Sequence, residues 1–186
     1  MTALPQKMLF NVDEYYRMAD AGILTEDHRV ELIQGEIVRM PPIGSRHAAV
    51  VNRVSQILMV PLVGKAVVTV QNPVRLDDHS EPEPDVAVLR LRDDFYAETH
   101  PHPEDVILLV EVSDTSYEFD TKVKLPLYAE NGIPEVWIVH VPNDEVWVFR
   151  EPSGRRYRHK WRFRRGQMLA PGGFPELELD AARVLG

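Results

Sequence analysis

The sequence predicts an α+β, or mixed α/β, fold with a central sheet flanked by helices, and three observations carry that reading. Apolar residues recur every three to four positions in some segments and run or alternate as strands do in others. The order of elements is helix, hairpin, helix, several strands, one helix and more strands. One segment, VILLVEV at 106–112, is almost continuously apolar, as a strand covered on both faces must be.

The elements follow in order. Residues 11–20, NVDEYYRMAD, read as a short helix capped by Asn11. Residues 29–40 read as two strands around Gln34-Gly35, a polar–glycine pair that signals a hairpin. In RHAAVVNRVSQILMV, Val50, Val54 and Ile57 recur at helical spacing, as do Val51 and Leu58. Residues 66–70 and 85–91 are strands, the second following the stiff EPEP segment. Residues 120–131 read as a helix closed by Gly132. Pro126 is awkward in its interior, so regular helix is expected to begin late, with Pro126 in its first turn. Residues 135–141 and 145–150 are strands joined by a turn at Pro142-Asn143-Asp144, and 155–165 is a further strand. The tail reads as a loop and a short terminal helix.

With 186 residues and 44% hydrophobic content, the chain is expected to form one domain over 1–186. No apolar run approaches the roughly 20 residues that span a bilayer, so no membrane partner is expected. The opening MTALPQKMLFNVDEYY lacks a secretory apolar stretch. There is no cysteine, which excludes disulfides, thiolate zinc sites and a cysteine nucleophile, and fits a cytoplasmic protein. The net charge of −8 argues, as an average, against a protein that coats nucleic acid. The average hides an asymmetry: residues 150–165 carry +7, which leaves −15 on the rest.

Several residues stand out chemically. Glu111 lies inside the strand best suited to burial, where a carboxylate is costly unless a cation or strong donors meet it. It is either half of a structural ion pair or a ligand at a strand end. Asp85 opens the strand after EPEP; alone it is a turn residue, but beside Glu111 it would form one edge of a magnesium-type oxygen site. Lysine is scarce, five residues in all, yet two of them, Lys122 and Lys124, follow Glu111 closely. Two positions apart, they do not share a helical face, so only one is expected in a site. Glu31 and Glu36 flank the hairpin turn, where acids are usually exposed, and Glu31 is the one that would complete an acidic pocket. His47, near a helix start, is either an exposed residue or a metal or phosphate contact. There is no HExxH, no phosphate-binding glycine loop and no G-x-S-x-G. In the strand at 155–165, alternation places Tyr157, His159, Trp161 and Phe163 toward the core and Arg156, Arg158, Lys160, Arg162 and Arg164 outward. Those cations either guard an edge strand or contact nucleic-acid phosphates.

The stretches VELIQGEIVRMPP, SRHAAVVNRVSQIL, PVRL, EPDVAVL, LLVEVSDTS, YEFDTKVKLPLYAENGIPEVWIV and LAPGGFPELELD, in that order, resemble the Uma-type family of bacterial proteins classed as restriction endonucleases. That family is a branch of the PD-(D/E)xK nuclease superfamily, and the resemblance covers nearly the whole chain. It implies a restriction endonuclease-like core with Asp85 and Glu111 as metal ligands and the Val112 backbone carbonyl as a third. It implies Glu31 as the acid from the N-terminal region. The superfamily's lysine stands two positions after the glutamate, where this chain has Ser113; Lys124, displaced to the following helix, matches it, with Lys122 as the lesser substitute.

The function expected is hydrolysis of DNA phosphodiester bonds with Mg2+ or Mn2+. Asp85, Glu111, Lys124 and Glu31 would be catalytic, His47 and Lys122 would support the site, and the cations of 155–165 would hold DNA. The alternative is a DNA- or protein-binding module that keeps the nuclease fold without turnover. A homodimer is expected, because cutting both strands usually takes two sites.

Overall fold

The structure, a computed structural model, describes residues 6–186; the first five residues of the stretch read for a secretory signal lie outside them. Helix α1 spans Val12–Asp20, and Asn11 caps it reciprocally. The Asn11 side chain accepts from the Glu14 amide at 2.8 Å, and Glu14 accepts from the Asn11 amide at 3.0 Å. Strands β1 (Val30–Ile33) and β2 (Glu36–Arg39) form the expected hairpin. Gln34 and Gly35 both have positive φ, 51° and 78°, so the turn twists with its strands. Helix α2 spans Ser45–Leu62 and takes in Pro61 just before the chain leaves the helix at Val63.

Strands β3 (Ala66–Val70), β4 (Val86–Arg90), β5 (Val106–Ser113), β6 (Glu135–His140), β7 (Glu145–Ser153) and β8 (Arg156–Phe163) lie in that order in one six-stranded sheet. Neighbours are antiparallel except β5 and β6, which are parallel. A parallel pair needs a crossover, and the helical segment after β5 supplies it. That segment runs as α3 (Tyr117–Phe119), a π-helical turn (Asp120–Lys124) and α4 (Leu125–Glu130). Helical structure thus begins three residues before the predicted start, while Pro126 falls in the first turn of α4 as expected. Strands β9 (Met168–Leu169) and β10 (Leu179–Asp180) pair with each other, and α5 (Ala181–Leu185) ends the chain.

The sheet is covered on both faces. On one, Val50, Val54 and Leu58 of α2 and Val184 of α5 pack on Leu108, Val110, Val112 and Val139. On the other, Leu127 and Tyr128 of α4 pack on Leu109, Val136, Ile138 and Phe149. Strand alternation therefore turns Leu109, Glu111 and Ser113 of β5 toward the crossover helices.

Strand β8 corrects one expectation. Its aromatic residues do not form one core-facing row: Phe163 packs half-buried on the α2 and α5 face, Tyr157 half-buried on the α4 face, and His159 and Trp161 are exposed. β8 is the last strand of the sheet, and these two rings stack on each other instead, 5.3 Å between centres. No helix among the described residues is long and apolar enough to cross a membrane.

Candidate active site

The ladder between β4 and β5 pairs Val86 with Val110 and Ala87 with Leu109. Carried one step further, that register sets Asp85 opposite Glu111 on the same face. Asp85 caps the strand end directly: its Oδ2 accepts from the Val112 amide at 2.8 Å, and its Oδ1 accepts from Gln71 Nε2 at 3.2 Å. His47 Nε2, from the first turn of α2, lies 3.1 Å from the same Oδ2. That contact raises the His47 pKa, against the opposing effect of burial. At Val112 the amide is the group that meets Asp85.

The crossover helices meet Glu111 from below. The Tyr128 hydroxyl donates to Glu111 Oε1 at 2.5 Å, and the Lys124 ammonium lies 3.3 Å from that oxygen. Lys124 also reaches across to Glu31, 3.0 Å from Oε2. Glu31 comes from β1, whose hairpin is held to the EPEP segment by the Glu81 amide donating to the Leu32 carbonyl at 2.8 Å. One turn before Lys124, Asp120 Oδ2 accepts from the hydroxyls of Ser113 and Ser116, both at 2.6 Å. The π turn aligns these helical residues. An α-helix of 3.6 residues per turn drifts forward over four residues, whereas an i→i+5 turn drifts back. Asp120, Lys124 and Tyr128 therefore end on one face.

Burial is severe. Glu31, Asp85, Glu111, Asp120 and Lys124 are all buried. Burial pushes the Glu111 carboxyl up to about 8, with Lys124 opposing. Burial likewise raises Glu31 and Asp120. For Lys124 burial acts downward, but Glu111, Glu31 and Asp120 outweigh it and hold the ammonium charged. The cluster therefore keeps one firm cation among carboxyls that share fewer charges than their number suggests.

These residues form the floor of a cleft of about 1080 Å³ between the sheet edge and the N-terminal elements. Its walls include Tyr16 of α1, Met40 to Gly44, Glu81 and His100. Lys122 is not brought to the cleft: it is exposed and pairs with Glu118 at 3.0 Å, because on its helix it points away from Lys124. Nor do the basic residues of β8 line it. Arg162 and Arg164 pair with Glu145, Lys160 lies 4.0 Å over the Trp147 ring, and Arg156 and Arg158 stand exposed. Sequence reasoning missed Asp120, Tyr128 and Gln71. The spacing of Asp120, Lys124 and Tyr128, every fourth residue, was the available signal for the first two; Gln71 offered none.

No three Asp, Glu or His side chains among the described residues form a ready-made metal cage. The donor set nevertheless suits a hard cation that keeps its waters, which needs only one or two carboxylates beyond substrate oxygens. Both contacts to Glu111 fall on Oε1, so Oε2 is the oxygen left for such an ion.

The fold and the chain have known counterparts. The crystal structure of a "putative nuclease belonging to DUF820" from Anabaena variabilis ATCC 29413 matches with a TM-score of 0.73 at 18% identity, over 95% of this chain and 97% of that one. At that identity the likeness speaks for the fold. No curated protein matches the chain. A family model does, from the first residue of α1 into α5, residues 12–182. The chain thus belongs to the Uma2 family, whose description reads "Putative restriction endonuclease".

Proposed function

We propose that the protein is an endonuclease that hydrolyses DNA phosphodiester bonds with Mg2+ or Mn2+. The observation that carries this reading is the placing of Asp85 opposite Glu111 at the adjoining ends of β4 and β5, with the Lys124 ammonium 3.3 Å from Glu111. Asp85 and Glu111 would hold the ion. A divalent ion in such a place supplies Lewis-acid polarisation of the phosphate and a water of lowered pKa.

The remaining chemistry belongs to the chain. His47, Gln71 and the Val112 amide fix the Asp85 carboxylate, and Tyr128 fixes that of Glu111. Lys124 serves as a cation rather than a base, since its neighbours hold its proton. Its ammonium orients the attacking water and offsets negative charge gathering on the phosphate. Glu31 holds Lys124 in place from the opposite side. Exposed cations of β8, Arg156 and Arg158 first among them, would meet the DNA backbone outside the cleft. The test is nicking of supercoiled plasmid by protein stripped of metal, with and without added Mg2+. Cleavage only with the ion supports the reading; binding without cleavage under Mg2+ and Mn2+ would leave a binding module instead.

A further inference from the structure

We propose that the cleft takes an unpaired strand, a single-stranded or locally opened stretch of DNA, in preference to a closed duplex. The inference rests on the nuclease reading above and narrows its substrate. The first ground is access. Glu31, Asp85, Glu111 and Lys124 are 4, 8, 3 and 2% exposed. Exposed Pro41, Pro42 and Ile43 line the same cleft, so these buried groups lie beneath its mouth. Duplex DNA is a stiff rod, with a persistence length of about 150 base pairs. An unpaired strand bends at every nucleotide and can thread such a path.

The second ground is charge. Eight acidic side chains line the cleft against two firm cations, Arg29 and Lys124, and Lys124 is already paired. Duplex DNA carries one negative charge per about 1.7 Å, twice the density of one strand. The cleft walls therefore penalise a duplex more heavily.

The third ground is what the walls offer a free base. Tyr16 lies at the cleft with its hydroxyl fixed by Glu81 Oε1 at 2.5 Å. Its ring is close to parallel with that of His100, 16° between planes and 6.3 Å between centres. Aromatic faces of this kind stack unpaired bases without regard to sequence. Glu81 Oε2 is buried with no donor, an acceptor suited to the amino group of adenine, cytosine or guanine. Paired bases in a duplex present neither a free face nor a free Watson–Crick edge.

The test measures binding and cleavage separately. Fluorescence polarisation compares a labelled single-stranded oligonucleotide with its blunt duplex, in Ca2+. The expected result is at least tenfold tighter binding of the single strand. Tyr16→Ala should lose about fivefold or more of that affinity, and duplex binding should be unchanged. His100→Ala, at an exposed position, should act in the same direction if Tyr16→Ala fails to fold. Equal or tighter binding of the duplex, or no binding of either, overturns the inference. Cleavage in Mg2+ then separates the two readings. Preferred binding of the single strand with no cleavage leaves this inference standing and removes the nuclease. Cleavage of closed duplex as fast as single strand does the reverse.

Discussion

The Lys124 ammonium lies 3.3 Å from Glu111 Oε1, with both side chains almost wholly removed from solvent. Removing one partner of a buried pair leaves an uncompensated charge and costs about 3–5 kcal/mol. Lys124→Ala is therefore expected to lower unfolding stability on that scale, because Glu31 and Glu111 both lose their cation. Urea denaturation measures it, and a loss under about 1 kcal/mol, typical of an exposed pair, would contradict the buried geometry.

Tyr128 acts on Glu111 without touching substrate, as a positioning residue. Its hydroxyl occupies Oε1 and so steers Oε2 toward the cleft. Tyr128→Phe leaves a buried acceptor without its donor and should cost about 1–3 kcal/mol in stability. It should also weaken Mn2+ binding, read by calorimetry without substrate. A fall in stability with unchanged Mn2+ affinity would reduce Tyr128 to a packing role.

The pH dependence follows from four carboxyls whose pKa values burial raises, Glu31, Glu83, Glu111 and Asp120. A carboxyl with a raised folded-state pKa binds its proton more tightly in the folded protein than in the unfolded one. Its contribution is complete at low pH and is lost as pH rises through the folded value. For Glu111 the window runs from the ordinary 4.5 to about 8. Metal-free protein should therefore lose stability from pH 5 toward 8, and Glu111→Gln should flatten the slope. Thermal melts in EDTA across that range check the sign.

Gly35 sets the hairpin that carries Glu31. Its φ is 78°, and a side chain there would meet Leu9 Cβ at 2.7 Å. Gly35→Ala combines left-handed strain with overpacking, each about 1–3 kcal/mol. Chemical denaturation should show a loss of at least the lower figure.

Much of this was legible in the residues. The apolar run at 106–112 gave away the central strand because a strand covered on both faces has no polar side to display. Asn11 and the Gln34-Gly35 pair marked a cap and a turn whose backbone demands those residue types. Asp85 and Glu111 were visible because a carboxylate in or beside a buried strand calls for an explanation. The placing of Lys124 was harder. The spacing of Asp120, Lys124 and Tyr128 puts them on one side of a helix, but a single i→i+5 turn has no periodicity of its own, so nothing in DTKVK announces that turn or which side meets Glu111. The burial of Glu31 depends on the hairpin docking against EPEP, a contact between segments far apart in sequence. On β8, alternation marked Trp161 as a core residue, yet it is 42% exposed on the sheet's last strand. Alternation identifies a face and says nothing of whether another layer lies against it.

Asp85, Glu111 and Lys124 are proposed to work together as one metal-dependent site. The most direct measurement is the rate of Mg2+-dependent plasmid nicking by wild-type protein, Asp85→Ala and Lys124→Ala, purified identically. Nicking by wild type that disappears with EDTA and falls at least a hundredfold in both variants is the predicted result. Equal nicking by wild type and Asp85→Ala would remove Asp85 from the chemistry and trace the activity to a contaminant.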